Sequence, residues 1–266
     1  MKLLCPICGE ILDRIEKQYR CGNGHSFDLA RQGYVNLLPV QQKRSLNPGD
    51  TREQVLGRRA FLETGCYEPI SNTLNETAKA LGATGPILDV GCGEGYYSAR
   101  LAEALGAELT GLDISKEAVR CAAAKYKGPQ WLCGTAAHLP VESHSAGVVT
   151  SLFALTMAEE FKRVLRPDGY FFQVLAAEDH LLGLKSIIYP ELKFKEKNTV
   201  PEVPGFELVK SVPIRFTFTV EGEQVQNLLG MTPHVFRITR EGAARLAATE
   251  TLTDTASAVL NVYRVV

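Results

Sequence analysis

Four side chains near the amino terminus could hold a metal. Cys5-x2-Cys8-x12-Cys21-x3-His25 sets three thiols and an imidazole on two short, knuckle-like spacings. Four such ligands complete a tetrahedral zinc site and leave no open position for chemistry, so the metal would be structural. It would hold a segment too small to bury a core of its own. The plain alternative is three free thiols and a surface histidine. The seven cysteines also include Cys66, Cys92, Cys121 and Cys133, which read as small core or turn residues. An odd count, crowded toward one end of a chain with no export signal, favours metal over disulfides.

The second constellation is Asp89-Val90-Gly91-Cys92-Gly93-Glu94-Gly95. It leaves an apolar run, PILDVG, and opens a helical one. Small residues there let a ligand approach the backbone. A dinucleotide fingerprint would need its third glycine at 96, where Tyr96 stands. The spacing resembles instead the D-x-G-x-G loop of class I S-adenosylmethionine (SAM)-dependent methyltransferases. Asp113 lies 18 residues after Gly95 at the end of the next apolar run, close to the roughly 20 expected of a ribose-hydroxyl acceptor. Ile114 would lie against the adenine. Thr135-Ala136-Ala137-His138-Leu139-Pro140 resembles the loop that edges the adenine, with Ala136 at the contact and Thr135 where many relatives have Asp.

Positioning these groups takes an alternation of strands and helices. PILDVG, ELTGLDIS, WLCG, AGVVTSLF and YFFQVLA read as five strands, the last after a turn at Pro167–Gly169. Helical patterns fall between them at 95–106, at 116–126 and around EEFKRVL. Two more precede them at 52–64 and 68–82. GFELVKSVPIRFTFTV and TASAVLNVYRVV read as late antiparallel strands flanking helical stretches near 221–230 and 239–249. The expectation is α/β: a doubly wound, mostly parallel seven-stranded sheet of the class I methyltransferase type, with a small amino-terminal zinc-binding domain. The expected divisions are 1–38 for the zinc module, 39–85 for a linker and helical segment, and 86–266 for the methyltransferase domain.

The composition is that of a globular chain: 266 residues, 45% hydrophobic and 22% charged. No apolar run approaches the roughly 20 residues of a membrane helix. MKLLCPICGE carries no secretion-type apolar stretch, so a cytoplasmic protein is expected. The net charge of −1 is unevenly spread: residues 1–60 hold ten Lys/Arg against six Asp/Glu. A basic module on an acidic body suits a polyanionic partner. Arg14, Lys17, Arg20, Arg31, Lys43, Arg44, Arg58 and Arg59 could grip phosphates, although each alone reads as a solvated surface residue.

CPICG, CGNGHSFDLARQGYVNLLPVQ, RRAFLETGCY, LDVGCGEGYY, HLLGLKSIIY and MTPHVFR together resemble the bacterial 23S rRNA (guanine-N1)-methyltransferases with an amino-terminal zinc ribbon. The resemblance spans nearly the whole chain. It implies SAM-dependent methylation of guanine N1 in a 23S rRNA stem-loop, a homodimer whose zinc modules flank an RNA cleft, and in one branch an effect on macrolide susceptibility. It implies neither a membrane nor a DNA partner. It carries over Cys5, Cys8, Cys21 and His25 as zinc ligands, Gly93 and Glu94 as loop contacts, and Tyr67 and His180 beside the cofactor. A tyrosine face near a sulfonium is physically sensible, because the ring attracts cations. Without the resemblance, Tyr67 would read as core and His180 as a surface or capping histidine.

Guanine N1 is protonated in the neutral base, so a general base is expected. No residue declares itself. Glu159, Glu160 and Asp179 follow the fourth and fifth strands, but each reads as a solvated side chain. Enzymes acting on exocyclic amines usually carry an Asn/Asp-Pro-Pro-aromatic motif after the fourth strand. Thr150-Ser151-Leu152-Phe153-Ala154-Leu155 lacks it. Gly147 stands where relatives often open this strand with an acidic residue. The competing readings are a quinone- or lipid-type small-molecule methyltransferase and a non-catalytic RNA-binding protein with a decayed pocket.

Overall fold

The computed structural model describes residues 1–39, 41, 48–192 and 196–266. Strands β1 (Leu3–Leu4), β2 (Ile11–Ile15), β3 (Gln18–Arg20) and β4 (Ser26–Asp28) form an antiparallel four-stranded sheet in that order. Strand β5 (Tyr34–Asn36) then leaves it. Helices α1 (Arg52–Leu62) and α2 (Glu68–Ala80) follow. The alternating part runs β6 (Ile87–Val90), α3 (Tyr96–Leu105), β7 (Leu109–Asp113), α4 (Lys116–Lys125), β8 (Gln130–Cys133), β9 (Ala146–Leu152), α5 (Ala158–Val164) and β10 (Leu165–Ala176). Helix α6 (Leu182–Ile188), β11 (Phe206–Glu221), α7 (Glu223–Gly230), a 3-10 turn at Pro233–Phe236, α8 (Arg240–Ala247) and β12 (Thr251–Val265) complete it.

The large sheet has the order β11-β12-β10-β9-β6-β7-β8-β5. Its β12 and β11 run antiparallel at one edge and the rest pair in parallel. From β6 the chain winds outward to β7 and β8, then returns to place β9 on the other side of β6. That reversal opens a crevice between the carboxyl ends of β6 and β9, where doubly wound sheets bind ligands. Strands β6 and β9 are buried along their whole length, as central parallel strands must be.

The seven expected strands are present, and an eighth joins them. Tyr34–Asn36 pairs in parallel with β8, Tyr34 opposite Trp131 and Asn36 opposite Cys133. Three residues are too few to show a period, and their partners lie about a hundred residues away. The expected boundary at residue 38 is therefore crossed by a sheet ladder. A core crosses it too: Leu3, Cys5, Leu12, Tyr19 and Cys21 pack in one cluster with Val35, Leu88, Val90, Leu112 and Leu132. The zinc segment covers one face of the methyltransferase sheet. In the segment expected as 39–85, α1 starts with a complete capping box between Thr51 and Gln54 and packs on α7 and α4.

Two local expectations change. The turn at 167–169 becomes an irregularity inside β10, whose register shifts between Leu165 and Tyr170. Helix α6 went unexpected, because its cap comes from far away. Gly183 and Leu184 donate their backbone N–H groups to the two carboxylate oxygens of Asp254 on β12, at 3.0 and 2.7 Å. The glycine at 147 has a steric cause: a Cβ there would collide with the Thr84 carbonyl, so no acidic side chain fits. Among the described residues no helix is long and apolar enough to cross a membrane.

Candidate metal centre and cofactor cleft

The loops before β2 and after β3 bring the amino-terminal cysteines together. Gly9 N–H donates to Cys5 O at 2.8 Å and Gly24 N–H to Cys21 O at 3.0 Å, closing two tight turns that face each other. The ligand atoms of Cys5, Cys8, Cys21 and His25 all lie within 4.8 Å of one another. The Cys5 and Cys21 sulfurs sit 3.6 and 3.4 Å from His25 Nδ1, and the Cys8 and Cys21 sulfurs 3.7 Å apart. Zinc–sulfur bonds of about 2.3 Å give tetrahedron edges of about 3.8 Å, and a zinc–nitrogen bond of about 2.0 Å shortens them slightly. The residues therefore fit a zinc ion, bound through Nδ1 of His25. Hydrogen bonding from the Asn23 side chain pulls the Cys8 thiol down to about 6, the direction a thiolate ligand needs. Burial pushes Cys5 the other way, a cost the cation would offset.

The glycine loop crosses the crevice at the tip of β6. Gly91 and Cys92 both donate to Leu112 O on β7, at 2.8 and 3.1 Å. Gly91 has φ +83°, and a Cβ on it would stand 2.6 Å from Cβ of Ala154. Gly95 has φ +88°, and a Cβ there would meet the Trp131 ring at 2.7 Å. Both positions therefore need glycine for backbone conformation and for space. At the tip of β7, Asp113 accepts from Gly93 N–H through Oδ2 at 2.9 Å and from Ser115 N–H through Oδ1 at 2.8 Å. Each carboxylate oxygen keeps a lone pair for another donor. Burial raises the Asp113 pKa while these two N–H groups oppose the rise. Ile114 beside it is 37% exposed, and Ala136 is half-buried on the neighbouring loop. The Thr135 hydroxyl accepts from Ala137 N–H at 3.2 Å within its own loop. The cradle of small residues, the carboxylate and the exposed apolar side chain suit an adenosyl ligand.

Two predicted residues stand elsewhere. Glu94 is buried at the turn into α3, where burial raises its carboxyl pKa while Lys125 and the Tyr96 backbone oppose the rise, so its side chain does not line the open side. Asp89 lies beneath the loop, taking the Ser98 hydroxyl on one oxygen and the Thr150 hydroxyl, at 2.6 Å, on the other. It ties the end of β6 to α3 and β9. Burial pushes Asp89 up to about 6 from 3.8, so its ionised form costs stability. That cost is absent below about 3.8, grows as pH rises, and is complete above about 6. Asp89→Asn should therefore gain on wild type in urea unfolding by about 2 kcal/mol between pH 4 and pH 7. A variant that loses ground over this range would show that the buried charge is favoured.

Tyr67 and His180 do meet. Tyr67 Oη and His180 Nε2 are 3.4 Å apart, and Ser257 N–H donates to His180 Nδ1 at 3.1 Å. A backbone N–H can only donate, so Nδ1 accepts, and the neutral ring carries its proton on Nε2. Burial, aided by Lys185 and Lys197, holds His180 down at about 4. Its ring NMR signals should stay constant from about pH 5.5 to pH 8, and a midpoint near the ordinary 6.5 would refute the assignment. The expectation of an open tyrosine face is corrected. Tyr67 is 1% exposed, packed edge-on against Phe61, Phe216 and Phe218. What it offers is its hydroxyl.

The acids considered as bases have other partners. Glu160 binds Arg163 and accepts from Leu139 N–H at 2.6 Å. Asp179 pairs with Arg215, and Glu159 is exposed on α5. Arg14, Lys17, Arg20 and Arg31 are exposed on the zinc segment, whereas Arg58 and Arg59 are engaged by Asp50 and Glu63. Lys43 and Arg44 lie outside the described residues. Sequence reasoning missed Ser98 and Ser115, which bond the carboxylates of Asp89 and Asp113 nearby in sequence, and Thr150, which reaches Asp89 from 61 residues away. It also passed over Phe153, whose backbone conformation leaves no mark on composition. A cavity of about 420 Å³ lined by Val203, Phe206, Leu208 and Tyr263 lies toward the amino-terminal end of β10, the opposite end from this cleft.

Two family descriptions match the chain. The zinc-ribbon family described as RlmA, N-terminal, covers residues 3–46, and the methyltransferase domain covers residues 88–173. The 23S rRNA (guanine(748)-N(1))-methyltransferase of Streptomyces fradiae is 34% identical over 87% of this chain and 84% of that protein. A Micromonospora griseorubida protein provisionally named 23S rRNA (guanine-N(1)-)-methyltransferase is 32% identical over 98% of this chain and 97% of its own length. The demethylmenaquinone methyltransferase of Chlorobaculum tepidum is 32% identical, but over only 45% of this chain and 50% of that protein. The chain belongs to the zinc-ribbon family of SAM-dependent 23S rRNA (guanine-N1)-methyltransferases.

Proposed function

We propose that this protein methylates N1 of a guanine in a 23S rRNA stem-loop, acting as a cytoplasmic homodimer. The observation that carries the reading is the union of two parts on one sheet. A four-ligand metal site with an exposed basic surface is packed on the fold whose glycine loop and Asp113 form an adenosyl cradle. The quinone-type relative from Chlorobaculum tepidum matches only 45% of this chain, against 87% and 98% for the rRNA-type relatives.

Bound SAM supplies an electrophilic methyl group. Asp113 would hold the ribose hydroxyls, with Gly91, Gly93 and Gly95 lining the backbone side and Ile114 and Ala136 flanking the adenine. Tyr67 Oη accepts from His180 Nε2–H, which holds these two side chains together beside Phe153. The main catalytic contribution is alignment of donor and acceptor with water excluded. The N1 proton must leave during transfer. His180 is unsuited to take it, being neutral with Nδ1 occupied and Nε2 protonated. Glu160 and Asp179 are held by arginines, and no side chain is assigned as base.

Unmodified 23S rRNA incubated with the protein and labelled SAM should gain one methyl group, mapped by mass to guanine N1. Transfer only to quinone- or lipid-like molecules would overturn the reading. If the site matches that of the Streptomyces fradiae relative, guanine 748 is the position to inspect. Macrolide susceptibility of a strain lacking the gene then tests the physiological consequence.

A further inference from the structure

The turn that leaves β9 faces the glycine loop across the crevice. Ala154 packs so closely on Gly91 that a Cβ on the glycine would stand 2.6 Å from Cβ of Ala154. The residue before it, Phe153, lies with its ring centroid 6.1 Å from that of His180, tilted by 32°. Phe153 therefore stands between the cradle and the Tyr67–His180 couple, at the strand tip where the sheet order reverses.

Three observations set Phe153 apart from a packing residue. Phe153 is 41% exposed and Leu155 78%, although all of β9 just before them is buried. Its φ is +54°, a left-handed conformation that a bulky side chain rarely adopts. The turn is nonetheless fastened: Phe153 N–H donates to Val174 O at 2.9 Å, and the Ser151 hydroxyl to Leu155 O at 3.2 Å. The fold alone would favour glycine here. Strain of this kind collects at functional sites, where the surroundings hold it.

We infer that Phe153 is the face on which the target guanine stacks during transfer, an inference that rests on the function proposed above. N1 lies on the Watson–Crick edge, so the base must leave its helix or loop stack to be methylated. Leaving costs the base its stacking neighbours, and an exposed aromatic ring replaces one of them. The strained, fastened turn fixes the ring plane before the RNA arrives. Lys197, whose ammonium donates to Ala177 O at 3.4 Å, the same carbonyl that accepts from His180 N–H, adds positive charge near this turn for the flanking phosphates.

The test compares Phe153→Gly, Phe153→Leu and Phe153→Trp in the full chain, with unmodified 23S rRNA and labelled SAM. Stacking of one base corresponds to about 5- to 150-fold, so Gly and Leu should lower kcat/KM for RNA by that factor. The loss should fall on kcat more than on RNA affinity, because the phosphate contacts remain. Phe153→Trp should stay within about threefold of wild type. SAM affinity by calorimetry should be unchanged in all three. Phe153→Gly should melt no lower than wild type, which separates lost stacking from misfolding. Gly or Leu variants working within about twofold of wild type would overturn the platform while leaving the methyltransferase reading intact. Wild type that leaves the RNA unmethylated would overturn that reading, and the platform with it.

Discussion

Asp113→Ala should weaken SAM binding by roughly 100-fold or more, measured by calorimetry on a protein that still unfolds cooperatively. The carboxylate receives the N–H groups of Gly93 and Ser115 at 2.9 and 2.8 Å. Hydrogen bonds to a charged group contribute about 1.5–3 kcal/mol each. Truncation removes both, frees the glycine loop from β7 and removes the acceptor for the ribose. Loss of one such bond to ligand, with loosening of the loop, amounts to about 3 kcal/mol, or two decades in Kd. Asp113→Asn keeps the shape and one acceptor oxygen, so about tenfold is expected. Binding by Asp113→Ala within about threefold of wild type would place the adenosyl site elsewhere.

Cys21→Ser should release the metal and lower the melting temperature on the order of 10 °C. The effect should exceed that of Cys8→Ser. Cys21 is buried in the cluster that joins the zinc segment to Leu88 and Val90, whereas Cys8 is exposed. A chelator should reproduce the shift, and added zinc should reverse it in wild type only. RNA affinity should fall in both variants while SAM binding in Cys8→Ser stays near wild type. Unchanged RNA affinity after zinc loss would reduce the ribbon to a structural prop.

The glycine loop was legible because its requirements are local: two positions where a side chain has neither room nor a permitted φ, followed by a helix. The zinc ligands were legible for the same reason, each pair sitting on one turn. Asp113 could be located by its distance from the loop. Asp89 belongs to the same motif, yet its position beneath the loop is decided by Ser98 and by Thr150, which is 61 residues away. Tyr67 could be matched by resemblance, but the rings that cover it come from α1 and β11. Helix α6 depends on a carboxylate from β12, and β5 on a partner strand far along the chain. Phe153 is the sharpest case, since its left-handed backbone conformation is held by a hydrogen bond to Val174 on the neighbouring strand.

Strand β5 links the knuckles to the cradle without a joint. Asn36 lies opposite Cys133, which lies opposite Asp113, and the adjoining Leu37 N–H donates to Cys133 O at 2.8 Å. The ribbon is thus bolted to the methyl-donor side by one ladder of hydrogen bonds and cannot swing as a tethered arm. On the function proposed above, an RNA held at both ends would be measured against a rigid gauge, and the nucleotide offered for methylation would be chosen by distance.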